Sequence, residues 1–443
     1  MFGIFSSQKQ RQKAWQKKTI AYAKAVNTYV QTGLTKGWGN SGQKPKDNGR
    51  EKLVPNLLNA IRCANETKEF TKLRLEWPLA YTPLVESLEE RGQIIPKLTV
   101  LQDGSIIARI GAHYEKGYVV KIQDNSVSKL DDIDFFGVCP NNIFFAYPEK
   151  EGVKITQGWQ GTLTAFCPYP HGNEGTPSKY DAEPFCTDAQ PTQIIPFPDG
   201  QRMLFICREG IVVLTPDHAI RLLPTQSSLV ESFEYLLAEN PELPLKPNLS
   251  MEHGNISPDG KFISVGYQYD SHLVYNDEYK LVADIGPHSE YPHFSLFSRD
   301  GKTLLLNSCH FYNGVTLGIN TDELTGIKTE PYNEDSRIRT LETGSRVYAA
   351  VHTENEFIIG NAFGHIKAFD HNGKATWQHF LGSNICDLVI SKDEKTLVCS
   401  TCAGFTSIIK LGEPKADYEI GTGNNTEVRR WLFWKGEEKP LIW

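Results

Sequence analysis

Three stretches of the chain share one pattern: NISPDGKFI at 255–263, LFSRDGKTL at 296–304 and VISKDEKTL at 389–397. Each is an apolar run, a tight polar turn and a second apolar run. Asp259-Gly260 and Asp300-Gly301 supply the positive-φ position that such a hairpin needs. Ser257 and Ser298 stand 41 residues apart, and Ser298 and Ser391 stand 93 apart, which is about two repeats. The copy between them reads AAVHTENEFII at 349–359. Weaker copies surround Asp103-Gly104, Asn141-Asn142 and Asp199-Gly200. After each turn come further apolar strands, as at 261–268, 272–276 and 280–285.

Seven such units fill 97–421. Strand groups at a period of ~40–50 residues mark a radial array. A single four-stranded sheet cannot bury both faces, but sheets stacked around an axis can, and closing the ring hides their edges. The sequence therefore predicts an all-β fold, a seven-bladed β-propeller over 97–443, with eight blades as the alternative. The tail RRWLFWKGEEKPLIW at 429–443 reads as one more hairpin. It is expected to close the ring by pairing with an N-terminal strand at 73–77 (LRLEW), or else to begin an eighth blade.

Residues 1–96 read as a helical extension with a basic head. Ser6 or Ser7 can cap a helix running to about Gln31, with Gly33 as its stop. Trp15, Tyr22, Val26 and Tyr29 recur at helical spacing and give it one apolar face. Residues 37–49 (GWGNSGQKPKDNG) read as a loop, and 53–64 and 83–91 as two shorter helices.

One unit carries a resemblance. Gly364-His365-Ile366-Lys367-Ala368-Phe369-Asp370, then Gly373-Lys374 and Trp377, resembles the quinoprotein-like propeller repeat. It is also similar to the end of a WD repeat, with Phe369-Asp370 where Trp-Asp usually stands. The turn Ser257–Lys261 is similar to turns of WD-like propellers. The resemblance implies a ring with a central channel and two loop-bearing faces. It implies no function, because this architecture hosts many.

Charge narrows the partners. The net charge is −7, but residues 1–46 hold Lys9, Arg11, Lys13, Lys17, Lys18, Lys24, Lys36, Lys44 and Lys46 before the first acid, Asp47. The other 37 bases face all 53 acids. An acidic body repels nucleic acid and anionic membranes at long range and attracts basic proteins. Only the basic head offers a route to phosphate or lipid. The N-terminus shows no apolar segment of secretory type, and no run of ~18 apolar residues crosses a membrane. The nine cysteines are scattered through apolar runs, which suits a reducing compartment. The expected location is cytoplasmic.

No catalytic set is legible. A Gly-x-Ser-x-Gly elbow is absent, and Ser257-Pro258-Asp259-Gly260 lacks the sialidase Asp-box spacing. Cys399-x-x-Cys402 has zinc or redox spacing without a second pair, so buried apolar thiols are the expectation. His288, His293, Cys309 and His310 form a loose cluster around one repeat, expected to be ordinary loop histidines. Asp131, Asp132 and Asp134, with Asp181, Glu183 and Asp188, can line an acidic face. We expect no cofactor and no metal.

Two insertions break the period. Residues 167–190 (CPYPHGNEGTPSKYDAEPFCTDAQ) form a long loop, and 227–239 (SSLVESFEYLLAE) a capped amphipathic helix with Leu229, Phe233, Leu236 and Leu237 on one side. Long loops on a rigid scaffold are where binding resides. The partner-binding candidates are Tyr169, His171, Glu174, Tyr180, Asp181 and Glu183 from the loop, and Phe233, Tyr235 and Glu239 from the helix. The expected function is non-catalytic binding of another, basic protein, as an inhibitor or immunity-type protein against a toxin such as a nuclease. An adaptor or scaffold subunit, or an enzyme or small-molecule binder working at the channel, are the alternatives.

Overall fold

The computed structural model describes residues 2–85, 90–170, 177, 179, 180, 182 and 190–443. Among these the strands form seven sheets of four antiparallel strands, two of which gain a fifth. Blade 1 runs from Lys97–Val100 to Ser126–Leu130, blade 2 from Gly137–Val138 to Thr162–Pro168, and blade 3 from Gln193–Pro196 to Ala219–Leu223. Blade 4 runs from His253–Ile256 to Leu281–Ile285, and blade 5 from Tyr291–Phe297 to Ile338–Thr343. Blade 6 runs from Val347–His352 to Ala375–Phe380, and blade 7 from Ile385–Ile390 to Asn425–Leu432. From blade 2 round through blade 7 to blade 1, first strands of successive blades contact one another, so they line the axis. The chain is a seven-bladed β-propeller.

The repeated turn explains why each blade begins as it does. Ser257 Oγ donates to Asp259 Oδ1 (2.7 Å) and accepts from Phe262 N (2.9 Å), while Asp259 Oδ1 also accepts from Lys261 N (3.1 Å). Ser298, Asp300 and Thr303 repeat this set, as do Ser391, Asp393 and Thr396. In blade 2 a thiol takes the hydroxyl's place: Cys139 Sγ donates to Asn141 Oδ1 (2.7 Å) and accepts from Phe144 N (3.0 Å). These closed local sets satisfy the turn's backbone donors and fix hairpin register. Apolar side chains then fill the gaps between blades, as Val274, Leu304, Leu306 and Leu317 do between blades 4 and 5.

The ring closes without sharing a strand. All four strands of blade 1 follow the helices, and all four of blade 7 lie near the chain's end. Asp387 on blade 7's first strand accepts Leu98 N of blade 1 at 2.7 Å, with Lys97 Nζ 3.6 Å away. Ser400 Oγ donates to Ile95 O at 2.6 Å. The same device joins other neighbours: Asn255 Oδ1 accepts Phe297 N, and Asn307 Oδ1 accepts Val347 N, each at 3.0 Å.

The tail forms the expected hairpin, but not against residues 73–77. Asn425–Leu432 completes blade 7, and Leu441–Ile442 folds back to pair with it as a fifth strand through Trp431↔Ile442 and Leu432↔Leu441. No strand forms at 73–77. Phe70–Glu76 is a helix (α3) that buries Leu73 and Trp77 and leaves Leu75 exposed. The alternation misled because Leu73 and Trp77 also stand four apart, one helical turn.

The first helix, α1, spans Phe2–Lys36 and buries Trp15, Thr19 and Ala23. It passes Gly33, whose bare Cα lies under the Trp38 indole, and stops at Gly37 with φ +86°. Helix α2 spans Val54–Thr67. A 3-10 turn covers Thr82–Leu84, and positions 86–89 of the helix expected at 83–91 fall outside the described residues. Trp15, Leu57, Ile61 and Trp77 share one core with Phe405, Leu432, Trp434 and Trp443, so the helices dock on blade 7 and the tail. A second departure lies in blade 5. Its last connection sends Ile327–Thr329 back to pair in parallel with Leu281–Ile285 of blade 4.

Candidate protein-binding face

Antiparallel order divides the connections between two faces. First-to-second and third-to-fourth turns, including every Ser-x-Asp turn, lie on one. Second-to-third turns and all links between blades lie on the other, here called the crossing face. Both period-breaking insertions therefore belong to the crossing face.

The structure brings the described parts of those insertions together. Helix α4 spans Gln226–Glu239, with Thr225 Oγ1 accepting Ser228 N as its cap. It buries Leu229 and Phe233 in a small core with Ala182, Leu245 and Tyr180, and Ala182 bridges Leu245 in parallel. The Tyr180 ring stands edge-on to Phe233 at 5.5 Å, and its hydroxyl donates to Glu234 Oε1 at 3.0 Å. Lys179 pairs with the same carboxylate at 3.3 Å.

The nine candidate residues thus separate. Tyr169 is buried edge-on to Phe205, and Phe233 is fully buried, so these two hold the insertions in place rather than presenting them. Tyr180 is half-buried in the seam. Tyr235 and Glu239 project to solvent, Tyr235 with 65% of its surface exposed. His171, Glu174, Asp181 and Glu183 lie outside the described residues, as does Asp188. Leu237, expected beside Leu229, is exposed instead.

Residues not singled out from the sequence make the larger feature. Tyr269, Phe311, Tyr312 and Phe363 come from the second-to-third turns of blades 4, 5 and 6, with Tyr269 77% and Phe311 71% exposed. They form a crescent: Tyr269 meets Tyr291 at 6.2 Å, Tyr291 stacks on His310 at 6.4 Å, His310 meets Phe311 at 4.5 Å, and Tyr312 meets Phe363 at 5.8 Å. His310 Nδ1 bonds Glu290. Arg346 supports the crescent from beneath, donating to Phe311 O (3.3 Å) and His293 Nε2 (3.4 Å). Exposed aromatics at hairpin tips are a weak signal in sequence, since each sits alone in its own repeat.

Acids gather on the blade 3 side of this crescent. The link from blade 3 to blade 4 carries Glu231, Glu234, Glu239, Glu242 and Glu252 against Lys246. Asp131, Asp132 and Asp134 of the next link but one are exposed. Across the channel mouth runs the 111–117 turn of blade 1. Arg109 braces it, donating to the carbonyls of Gly111, Ala112 and Glu115. Tyr114 OH donates to Glu252 at 3.1 Å, and Arg208 lies 5.0 Å over the Tyr114 ring. Burial pushes the Glu252 carboxyl up, an effect the Tyr114 hydrogen bond partly offsets.

The histidines and the cysteine of the loose cluster around blade 5 take separate partners. His288 turns to Asn333 O (2.9 Å), His310 to Glu290, and His293 packs edge-on to Tyr348 at 5.1 Å, while Cys309 is buried. No group of three metal-ligating side chains comes together among the described residues. Cys399 is a buried apolar thiol, but Cys402 is not; it meets Cys386 instead.

No family model matches the sequence. No curated protein is similar to it either. The β-propeller domain of Cps50 (Swd1) of Myceliophteria thermophila is similar in shape, at 8% identity and TM-score 0.44 over 70% of this chain and 93% of that one. No helix among the described residues is long and apolar enough to cross a membrane.

Proposed function

We propose that this propeller is a non-catalytic binding protein that takes a basic protein partner on its crossing face. The observation that carries this reading is the crescent Tyr269–Tyr291–His310–Phe311 and Tyr312–Phe363, exposed beside an acidic rim. Among the described residues Phe166 is exposed on an outer edge, while Tyr114, Tyr235 and Tyr332 share the crossing face, Tyr332 N donating to Pro287 O of the link from blade 4 to blade 5. Exposed aromatics supply rigid contact area, and they attract arginine and lysine through their ring faces. The acids speed the approach of a basic partner at low salt. The finer reading is an inhibitor or immunity-type protein that caps a basic toxin such as a nuclease. A cytoplasmic location accords with the dispersed thiols. An adaptor role in a larger complex uses the same face.

Co-purification from the native host tests the reading. The expected result is a basic protein that dissociates as salt is raised and is lost from a Tyr269→Ala/Phe311→Ala variant that stays folded. A chain that emerges alone at every salt concentration, or a partner cross-linked only to the opposite face, overturns it.

A further inference from the structure

Blade 7 carries two thiols that the strand register forces together. Its first two strands pair Ile385 with Thr401 and Asp387 with Ser400, so Cys386 is the extra residue of a bulge. Cys402 lies just past the second strand, and its N–H donates to Asn384 O at 3.0 Å. The two side chains consequently meet, with Sγ atoms 2.9 Å apart. That is shorter than an ordinary sulfur–sulfur contact, and a bond of about 2.05 Å requires less than ~1 Å of further closure. Both residues are partly exposed, unlike Cys399 and Cys309, which are buried. We propose that Cys386 and Cys402 are a reversible oxidation site that closes to a disulfide on the crossing face of blade 7.

The two thiols are not equivalent. The hydrogen bond between them pushes the Cys402 thiol down and the Cys386 thiol up, the latter reinforced by burial. Cys402 is therefore the attacking group. Its thiolate attacks one sulfur of a small dialkyl disulfide such as glutathione disulfide and expels one thiolate. Cys386 then loses its proton and attacks Cys402 Sγ, expelling the second thiolate. Two protein thiols lose two electrons, and one external disulfide becomes two thiols.

The bond would clamp the turn at 402–404 to the strand that closes the ring. Ala403 N already donates to Ser383 Oγ (3.0 Å), and Asp387, next to Cys386, holds blade 1. Oxidation thus stiffens the seam between blades 7 and 1 without touching the crescent on blades 4 to 6. The inference is independent of what the crescent binds.

The test uses the full chain, reduced and then equilibrated in glutathione buffers of graded ratio, acid-quenched, alkylated and digested. The expected result is a peptide pair linked through Cys386 and Cys402, an intact mass lower by about 2 Da, reversal by dithiothreitol, and a higher unfolding temperature for the oxidised chain. Cys386→Ser and Cys402→Ser should each abolish the linked pair. The wild-type digest decides the matter even where a variant folds poorly. Both thiols still alkylatable in excess glutathione disulfide, or a stable glutathione adduct on Cys402 that Cys386 never displaces, overturns the proposal.

Discussion

Tyr114 of blade 1 donates its hydroxyl proton to Glu252, the residue leading into blade 4, at 3.1 Å from Oε1 and 3.2 Å from Oε2. Blade 4 stands as far from blade 1 as a ring of seven allows, so this bond ties opposite walls across the channel mouth. The channel readings, a catalytic or small-molecule site, must contend with that strap on the crossing face. Arg109 holds the strap's own shape through three carbonyls, so its far end depends on Tyr114. Tyr114→Phe removes a hydrogen bond to a carboxylate, worth about 1.5–3 kcal/mol where buried and less here because Tyr114 is half exposed. Amide exchange across 111–117 should accelerate severalfold while the unfolding temperature stays nearly constant. Unchanged exchange would show that Arg109 alone orders the turn.

Ring closure concentrates on Asp387. Its carboxylate accepts Leu98 N and faces Lys97, and burial pushes its pKa up against the pull of that lysine. Asp387→Ala leaves a strand N–H without its acceptor at the seam, a loss of about 1–3 kcal/mol. Asp387→Asn keeps an acceptor and should cost less. Urea unfolding of the two variants checks the order; equal loss from both would assign the effect to packing instead.

Acid should destabilise the protein well above the usual carboxylate range. Burial lowers His253 and His379 from the usual 6.5 to about 4, and His272 falls further, with His253 and His293 adding like-charge opposition. The His253 and His272 rings lie 5.5 Å apart, and His272 Nε2 pairs with Ser308 Oγ at 3.0 Å. The unfolded chain takes up these protons near pH 6.5, whereas the folded chain takes up those of His253 and His379 only near 4. Stability is therefore complete above about pH 6.5 and declines as pH falls toward 4. Replacing His253 with Gln should flatten that decline by about one proton's worth in the slope of unfolding free energy against pH. A slope identical to wild type would mean that His253 titrates normally in the fold.

The blades were legible because their signal is local. Ser257 and Asp259 meet within one turn, and the same pair recurs at Ser298 with Asp300 and Ser391 with Asp393, so a period appears without any long-range knowledge. The crescent was not legible because Tyr269, Phe311 and Phe363 lie roughly one repeat apart in sequence and become neighbours only when the ring forms. The same holds for Cys386 and Cys402, whose meeting depends on a bulge that no spacing rule reveals. Residues 73–77 misled for a different reason. A short apolar alternation fits a strand and one helical turn equally well, and the choice fell to Trp443 and Trp434, which supply the surface that Leu73 and Trp77 cover.

That surface yields a last prediction. Trp15 is fully buried between the helices and blade 7, packs against Trp77 at 6.2 Å, and donates Nε1–H to Pro78 O at 2.8 Å. Trp443 donates its Nε1–H to Trp77 O at 2.7 Å, so the two indoles grip adjacent carbonyls just past the end of the same short helix. Arg74 adds donors to Trp443 O and Glu427 O. Deleting the Trp15 ring removes its buried area and leaves a cavity, together about 3–5 kcal/mol. Because the helices touch blade 7 and the tail rather than all seven blades, Trp15→Ala should release 2–85 before the ring unfolds. Limited proteolysis should then cut within 2–85 at temperatures where blades 1 to 6 still resist. If the variant instead loses every blade in one transition, helices and ring form a single cooperative unit, and the Trp443 tail is what couples them.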